Sequence, residues 1–432
     1  MNDVLPDEVG GWQRVERAYA HSMSLHGFRE VRTPYVEATP LFVRTIGEVT
    51  DIVEKEMYSF EHHGEALTLR PEGTAGAARA YVEHAVHTRE PVTRWWYMGA
   101  MFRGERPARG RYRQFSQLGA EIFGDEGPGC DAELIDLLVG FLGDIGIRGA
   151  EVFLNSLGGP DTRARYRDAL VRHLTPKAAS LSAESQRRLS TNPLRILDSK
   201  DERDAAAIQD APTLHDFLDP EDRKHFDRLR AALDALGTPY TVDPRLVRGL
   251  DYYTRTLFEI RGAYEKLGAG STLLGGGRYD RMVADLGGPQ VPAIGFAAGV
   301  ERLLIAREAE PPSSAVDAFV APLGEAAIVA ALVLARDLRR SGVRSDVDTR
   351  GGSLKSQLRR ANALGARVAL ILGESELAGN VVQVKDLEAR TQALVARADV
   401  PRVVAARIAS GPPAAAAGPT GEPASEPEEP SR

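Results

Sequence analysis

The segment FRGERPARGRYRQF, residues 102–115, is the densest chemical signal in the 432-residue chain. Strand-like runs flank it, Arg94–Tyr97 before it and Gln114–Phe123 after it, so the pattern predicts a hairpin. Guanidinium groups pair bidentately with phosphate oxygens and keep their charge, so this loop favours a phosphate-bearing ligand. The alternative interpretation is a surface hairpin that arginine keeps soluble. The arginines lie at positions 103, 106, 109, 111 and 113.

Outward from this hairpin, further strand-like runs such as Leu67–Leu69 and Phe258–Ile260 are separated by long connections. That arrangement favours an antiparallel sheet covered by helices. Between Gly159 and Gly237 the apolar residues fall at helical spacing, which predicts a helical insertion. Beyond residue 315, strand-like and helical runs alternate as in a small α/β domain. The predicted fold class is therefore α+β, an antiparallel-sheet domain with a helical insertion plus a C-terminal α/β domain.

These patterns also predict the domain boundaries. The sheet domain is expected to span 1–158 and 238–308, the helical insertion 159–237, a linker 309–315 and the α/β domain 316–409. Residues 410–432 are rich in Pro, Ala and Glu, with almost nothing to bury, so we predict a disordered acidic tail.

Composition excludes several classes of protein. Apolar residues make up 43% of the chain and charged residues 27%, which is typical of globular proteins. The single cysteine, Cys130, excludes an internal disulfide and a cysteine-based zinc site, and it fits a reducing compartment such as the cytoplasm. The acidic N-terminus has no apolar core, so no signal peptide is expected, and no apolar run is long enough to predict a membrane span.

Charge is unevenly distributed along the chain. The formal net charge is −7, so no global basic field points to a nucleic-acid partner. Between residues 331 and 360, however, eight basic residues oppose three acidic ones, a local excess of five positive charges. Such a cluster is either a solvated helix face or a surface that reads a phosphate backbone.

Four further segments place polar groups among apolar or glycine-rich neighbours. In the first, Glu72 lies near a predicted helix start, where a carboxylate either caps the helix or binds an ammonium group. In the second, Arg248 and Asp251 either form a buried ion pair or serve a ligand. The third and fourth segments are the richest in small residues, and their glycines allow either close approach of a ligand or close packing of the backbone. The segments are LRPEGTAG (69–76), LVRGLDYY (246–253), GGGRYD (275–280) and GFAAGVER (295–302).

Together and in this order, these segments resemble the signature motifs of class II aminoacyl-tRNA synthetases. GFREVRTP at 27–34 is similar to motif 1, residues 102–121 to motif 2 and residues 295–302 to motif 3. The segments at 69–76 and 246–253 match the histidine-specific motifs of the histidyl-tRNA synthetases nearly letter for letter. TNPLRILDSK at 191–200 is typical of the bacterial members. The resemblance covers residues 1–408.

The resemblance implies a histidine–tRNA ligase. Such an enzyme activates L-histidine with ATP to histidyl-adenylate and pyrophosphate, then transfers histidine to the 3′-terminal adenosine of tRNA(His). It implies a class II catalytic domain and a C-terminal anticodon-binding domain. It also implies Mg²⁺ held through the ATP phosphates, a homodimer formed through motif 1, and a cytoplasmic location. Members usually have a basic residue and a glycine before the Met that begins this chain. Two hypotheses follow, a missing N-terminal strand that would weaken the dimer, or a misassigned start.

The resemblance further implies roles for individual residues. Arg103 and Arg248 are the catalytic pair beside the α-phosphate, and Arg302 stacks on adenine and reaches the γ-phosphate. Glu121 and Tyr253 are implied to read the two imidazole nitrogens. The implied ATP-binding residues are Arg103, Glu105, Arg111, Arg113 and Arg302. The implied histidine-binding residues are Glu72, Thr74, Gln117, Glu121, Tyr252, Tyr253 and Tyr279, of which Glu72, Thr74 and Gln117 hold the α-amino group.

Two other hypotheses belong to different functional classes. One is the catalytically inactive, histidine-sensing regulatory subunit of ATP phosphoribosyltransferase, which shares the catalytic-domain fold. That subunit typically lacks the anticodon-binding domain and the arginine corresponding to Arg248, and this chain has both features. The other is an RNA-binding protein with an inactive site. The complete set of implied site residues argues against it: Glu72, Arg103, Glu121, Arg248, Tyr253 and Arg302.

Overall fold

The computed structural model describes residues 2–48, 50–199, 201–307 and 314–410. The chain divides into two compact units, Met1–Glu310 and Pro311–Arg432. Residues 309–313 of the predicted linker and the predicted tail from residue 411 onward lie outside the described residues. No helix in the described ranges is long and apolar enough to cross a membrane.

The first unit contains a large sheet, a small sheet and the helices around them. Its strands are β1 (Arg29–Glu30), β2 (Val36–Ala38), β3 (Tyr58–His62), β4 (Glu65–Leu69), β5 (Thr93–Phe102), β6 (Gln114–Phe123), β7 (Glu151–Ser156), β8 (Tyr240–Val242), β9 (Thr254–Tyr264), β10 (Gly268–Arg278) and β11 (Ala293–Gly299). Its α-helices are α1 (Pro6–Leu25), α2 (Thr39–Ile46), α3 (Thr74–Glu83), α4 (Pro128–Asp144), α5 (Pro160–Leu174), α6 (Ala183–Thr191), α7 (Glu202–Gln209), α8 (Pro220–Leu236), α9 (Met282–Asp285) and α10 (Val300–Ala306).

The large sheet has the strand order β1-β5-β6-β11-β10-β9-β7-β8. Its pairs are antiparallel except β1 with β5 and β7 with β8. The predicted arginine-rich hairpin is β5–β6, with Gly99 opposite Gln117 and Trp95 opposite Glu121. A separate three-stranded sheet has the order β2-β4-β3. The predicted α+β architecture is therefore confirmed.

The main core lies on one face of the large sheet. Helices α1, α4 and α8 pack there through residues such as Tyr19, Phe141 and Phe226, against Leu118 and Ile122 of β6. Because successive strand residues point to opposite faces, Gln117, Gly119 and Glu121 turn to the other face. The core thus orients a row of polar and small residues away from the helices.

The segment predicted as a helical insertion contains α5 to α8. Helices α5 and α7 form a second core, which includes Tyr166, Leu170 and Ile208 and extends to Leu246 and Tyr253. Helix α8 packs instead on α4 and the large sheet. The insertion is therefore joined directly to the segment 246–253.

The second unit is an α/β domain. Its strands are β12 (Ala318–Pro322), β13 (Ser345–Val347), β14 (Val368–Leu372), β15 (Val381–Asp386) and β16 (Gln392–Ala396), and its α-helices are α11 (Glu325–Arg340), α12 (Leu354–Ala363), α13 (Glu374–Ala378) and α14 (Val400–Ala409). The sheet order is β13-β12-β14-β15-β16, with β12 parallel to both of its neighbours. Helices α11 and α14 cover one face, and α12 packs on the other beside Phe319.

Candidate active site

Strand β6 places Glu121 at the centre of the candidate site. The side chain is fully buried and accepts hydrogen bonds from the hydroxyls of Tyr97, at 2.9 Å, and Tyr279. Gly295 lies opposite in the sheet, and a Cβ there would come within 1.7 Å of Glu121 Oε2. Burial raises the pKa of Glu121 to about 8, even though both tyrosines stabilise its charged form. The site therefore holds a carboxyl group that has no cationic partner in the described residues.

Glu72 and Thr74 approach from the start of α3. The Glu72 carboxylate accepts the backbone N–H groups of Thr74, at 2.9 Å, and Ala75, at 2.7 Å. Glu72 therefore caps the start of α3, which is one of the two roles considered from the sequence. Burial raises the pKa of Glu72, and its charge helps to raise the pKa values of Glu121 and Tyr252. Thr74 Oγ1 lies 3.4 Å from Tyr97 Oη, so this helix start is connected to the Glu121 site.

Gln117 and the predicted tyrosines complete the same cluster. Gln117 is buried, and its Oε1 atom has no hydrogen-bond partner among the described residues. Tyr252 stacks obliquely near Tyr253, with ring centroids 4.6 Å apart, and also contacts Tyr279, at 5.7 Å. Burial raises the pKa of Tyr253, and the charges of Glu121 and Glu72 add to this increase. Contacts thus link six of the seven residues predicted to bind histidine, partly through Tyr97, and Gln117 lies on the same face of β6 as Glu121.

Arg248 lies beside this cluster, but its partner differs from the one considered in the sequence. Arg248 does not pair with Asp251. Its Nη1 atom donates to Glu259 of β9, while Asp251 accepts hydrogen bonds from Asn192. Burial opposes the charge of Arg248, yet Glu259 keeps its pKa raised. The side chain packs over Gly275, where a Cβ would lie 2.9 Å from the guanidinium carbon.

The hairpin loop between β5 and β6 supplies the other arginines. Arg103 donates from Nε to the main-chain oxygen of Pro71 at 2.8 Å, which places it next to Glu72. Its backbone N–H donates to the oxygen of Arg113, and the Arg113 side chain is exposed. Glu105 forms an ion pair with Arg111 at 3.5 Å. The loop is therefore open to solvent at its tip and joined to the buried cluster at its base.

Arg302 enters from α10. Its Nε donates to the main-chain oxygen of Thr272 at 2.7 Å. Burial and the nearby charge of Arg111 lower the pKa of Arg302, while Glu105 and Glu259 oppose that change. A Cβ at Gly110 of the hairpin loop would lie 3.0 Å from Arg302 Cγ, and the Thr272 hydroxyl donates to Glu259. Arg302 therefore lies between the hairpin loop and the Arg248–Glu259 pair, and the arginines of this region form the arginine rim of the site.

Sequence reasoning missed Tyr97. Its ring lies against Gly73 and Gly119, where added Cβ atoms would approach within 2.2 Å and 2.5 Å. The strand alternation offered a signal, because Tyr97 is directly opposite Gly119, two residues from Glu121. An aromatic residue beside a glycine on the polar face of a strand indicates a ring that occupies the glycine's space.

No group of three or more His, Cys, Asp or Glu side chains in the described ranges is arranged to hold a metal ion. Two acidic residues near the rim are already paired with arginine. Glu105 faces Arg111, and Glu259 faces both Arg248 and Arg261. Oxygen ligands for a divalent cation at this rim would therefore come chiefly from a bound phosphate compound.

Models of two protein families match the chain. The model described as histidyl-tRNA synthetase matches residues 1–303, and the one described as anticodon binding domain matches residues 317–407. Together they account for both structural units.

Individual relatives give the same result. The chain is 59% identical over 413 residues to a histidine–tRNA ligase of Sorangium cellulosum (strain So ce56), covering 96% of each chain. It is similar to the apo S. aureus histidyl-tRNA synthetase crystal structure, with a TM-score of 0.79, 34% identity and 94% and 98% of the two chains covered. A histidyl-tRNA synthetase structure from Nostoc sp. PCC 7120 shares the fold, with a TM-score of 0.67, 20% identity and coverage of 94% and 98%. None of these similarities favours the regulatory-subunit hypothesis.

Proposed function

The chain belongs to the histidyl-tRNA synthetase family, and we propose that the Glu121 cluster and its arginine rim are where it carries out the first half of the histidine–tRNA ligase reaction. In that step the histidine carboxylate attacks the α-phosphorus of ATP, giving histidyl-adenylate and pyrophosphate. In the second step the terminal adenosine hydroxyl of tRNA(His) attacks the mixed anhydride.

The buried, unpartnered acceptor at Gln117 carries the proposal. An unmade hydrogen bond in such a place costs about 1–3 kcal/mol, which a donor on the ligand would recover. Gln117 lies on the same face of β6 as Glu121, and Tyr97 links Glu121 to Thr74. An α-ammonium group bound between Gln117 and the start of α3 would meet the Glu72 carboxylate and two neutral oxygens. Glu121, which is buried without a cationic partner among the described residues, and the nearby Glu72 support a ligand that supplies positive charge or N–H donors.

The imidazole ring explains the remaining polar groups. Glu121 accepts a hydrogen bond from one ring N–H, and Tyr253 hydrogen-bonds to the second nitrogen. Tyr252 and Tyr279 line the rest of the pocket. An amino acid lacking either nitrogen would leave one of these buried groups unpaired. Sites built to hydrogen-bond a substrate reject such analogues by about 10⁴-fold or more.

Arg103 and Arg248 are the catalytic residues of the proposal. The histidine carboxylate is already ionised at neutral pH, so no general base is needed. What the step requires is alignment and compensation of charge on the phosphoryl oxygens. Arg103 and Arg248 supply positive charge near the α-phosphate, and Arg302 lies under the adenine and reaches the γ-phosphate. Glu105, Arg111 and Arg113 contact the remaining parts of the nucleotide.

Mg²⁺ is proposed to enter with ATP. The carboxylates at the rim are engaged with arginines, which leaves phosphate oxygens as the main ligands. When bound, the ion neutralises phosphate charge. Arg248, held by Glu259, would add positive charge to that of the ion.

A homodimer formed through motif 1 is part of the proposal, together with a cytoplasmic location. Residues 30–33 of motif 1 line a groove of about 590 Å³ together with residues of α1 and β5. Next to it, the small sheet β2-β4-β3 exposes Val36 and Phe60, at 40% and 46%, while Thr68 on its other face is fully buried. A sheet with its apolar face outward marks an interaction surface, and we assign it to a second copy of this chain.

The test of the proposed site is the substitution Glu121→Ala. Histidine-dependent pyrophosphate–ATP exchange should be lost, while ATP binding measured by calorimetry stays within about threefold of wild type. The ATP contacts lie on the arginine rim, so they do not depend on this carboxylate. Near-normal exchange in the variant would remove Glu121 from the histidine site.

A further inference from the structure

The catalytic loop, residues 246–253, carries Arg248 and Tyr253, and side chains of the insertion hold its shape. Arg163 extends from α5, Asn192 directly follows α6, and Arg195 lies in the short 3₁₀ turn Pro193–Asp198. These three residues lie 53 or more positions away in sequence from Arg248, yet each reaches the loop that contains it.

Arg163 fixes the backbone at the end of the loop. Its Nη1 atom donates to the main-chain oxygens of Asp251, at 3.1 Å, and Tyr253, at 2.9 Å. Burial lowers the pKa of Arg163, and the charge of Asp251 opposes this. Hydrogen bonds from a charged donor are stronger than neutral ones, especially in such a buried place. Arg163 therefore restrains the chain on both sides of Tyr252.

Asn192 holds the side chain of Asp251. Its Nδ2 atom donates to both carboxylate oxygens, at 2.8 Å and 3.1 Å. On the other side, the Asp251 backbone N–H donates to Ile46, at the end of α2. Gly47 allows this close approach, since a Cβ there would lie 3.1 Å from Asp251 Oδ2. Asp251 is thus held between the insertion and the catalytic domain.

Arg195 limits the loop on the side of Gly249, the residue after Arg248. A Cβ at position 249 would lie 2.8 Å from Arg195 Nη1. Arg195 is itself held by Asp51, which also pairs with Arg188 at 3.1 Å. The contact therefore connects the position of the insertion to the residue next to the catalytic arginine.

We propose that Arg163 and Asn192 are positioning residues, through which the insertion sets the orientation of Arg248 toward the α-phosphate of ATP. This inference rests on the proposed function of Arg248. Neither residue touches the reacting atoms. Arg163 acts through the loop backbone and Asn192 acts through Asp251. Loosening either contact misplaces the Arg248 guanidinium, whose charge matters most in the transition state.

A charge exchange at the Asn192–Asp251 pair tests this. Asn192→Asp places two carboxylates together and should lower kcat for histidine-dependent pyrophosphate–ATP exchange at least tenfold. The KM values for ATP and histidine should change less than about threefold, because the weakened interaction is that of Arg248 with the α-phosphate, which is made mainly in the transition state. Asp251→Asn should stay within threefold of wild type, since it keeps an acceptor oxygen. The double variant Asn192→Asp with Asp251→Asn restores a donor–acceptor pair and should recover kcat to within threefold.

The matched control is Arg187→Ala, a substitution in α6, the helix that ends just before Asn192. Arg187 pairs with Glu184 at 2.9 Å and Glu54 at 3.9 Å but makes no contact with the loop. This variant should leave kcat unchanged. Circular dichroism and ATP binding verify that each variant is folded.

Arg163→Lys provides a second route if Asn192→Asp does not fold. It keeps the charge but loses the guanidinium geometry, and kcat should fall severalfold with KM little changed. An unchanged kcat in Asn192→Asp or Arg163→Lys, or a double variant no better than Asn192→Asp, would overturn the inference. Absence of exchange in the wild-type chain would instead overturn the proposed function, and this inference with it.

Discussion

Glu121 shows how burial and ligand chemistry are connected at the scale of one residue. Its carboxyl group lies in the sheet between Tyr97, Tyr279 and Gly295, where water cannot solvate its charge. Histidine would bring N–H donors into the same space. In the proposed function, the free protein therefore carries an electrostatic cost that bound histidine would relieve, which is a common property of sites built for one ligand.

The raised pKa of Glu121 predicts a pH-dependent difference in stability. In the unfolded chain this group loses its proton near its ordinary pKa of 4.5, whereas in the folded protein it keeps the proton up to about pH 8. Between these values the folded state binds more protons, so the contribution of Glu121 to stability falls as pH rises. Relative to Glu121→Gln, wild type should lose on the order of a few kcal/mol of unfolding free energy between pH 5 and pH 8.

Chemical denaturation of both proteins at the two pH values, without histidine, measures this difference. The comparison with Glu121→Gln cancels other groups that titrate in the range, such as Glu301, whose pKa burial raises to about 7. Parallel pH profiles for wild type and variant would show that Glu121 ionises normally.

At the scale of elements, β10 and α4 are joined by a buried ion pair. Arg278 and Asp131 are both fully buried, with a contact of 2.6 Å, and Arg278 also donates to the main-chain oxygens of Asp125 and Gly127. The next residue along the chain is Tyr279, which donates to Glu121. This pair therefore fixes the strand end next to Tyr279, which we propose forms one wall of the histidine site.

Arg278→Met should destabilise the protein by about 3–5 kcal/mol, because it leaves Asp131 charged and buried without its main cation. Arg281→Met is the control, since Arg281 is exposed and pairs only weakly with Asp285 at 3.7 Å. Its effect should stay below about 0.5 kcal/mol. Urea unfolding of the two variants separates these outcomes, and equal midpoints would contradict the role assigned to the ion pair.

Local patterns were sufficient for the hairpin, whereas the site residues were implied by ordered motifs. Strand-like runs on both sides of the arginine-rich segment predicted β5–β6, because strand propensity depends mainly on neighbouring residues. The partner of Arg248 could not be predicted in the same way. Arg248 lies in the loop before β9 and Glu259 lies 11 residues further on, within β9, so their contact depends on how the loop folds back over the strand. The same holds for Arg163 and Asn192, whose contacts depend on how the insertion folds back.

At the scale of the whole molecule, the chain combines a catalytic unit and an anticodon-binding unit. In the second unit, several residues of the predicted basic cluster are paired internally, such as Arg344 with Asp317 and Arg360 with Asp346. Arg350 also pairs with Asp348, at 3.4 Å, but its side chain is 71% exposed, and Arg359 is exposed as well. The cluster is therefore partly engaged in ion pairs within the domain and partly exposed, and we propose that the exposed part contacts tRNA phosphates.

Replacing Arg350 and Arg359 with alanine should raise the KM for tRNA(His) about tenfold or more in the charging reaction and reduce its salt dependence. Histidine-dependent pyrophosphate exchange should not change, since it does not involve tRNA. The control replaces Lys385 and Arg402, which removes the same charge outside the cluster. A similar rise in KM for both double variants would show that net charge, not this surface, determines tRNA binding.

Histidine-dependent pyrophosphate–ATP exchange, run with a panel of amino acids on wild type and Arg248→Ala, tests the central claim most directly. The claim is that the Glu121 cluster selects histidine and that Arg248 stabilises the transition state at the α-phosphorus. Exchange should occur with histidine alone and fall by at least 10²-fold in Arg248→Ala, in the range seen when one preorganised charge-stabilising group is removed. Histidine binding without exchange in wild type, or full exchange in Arg248→Ala, would contradict it.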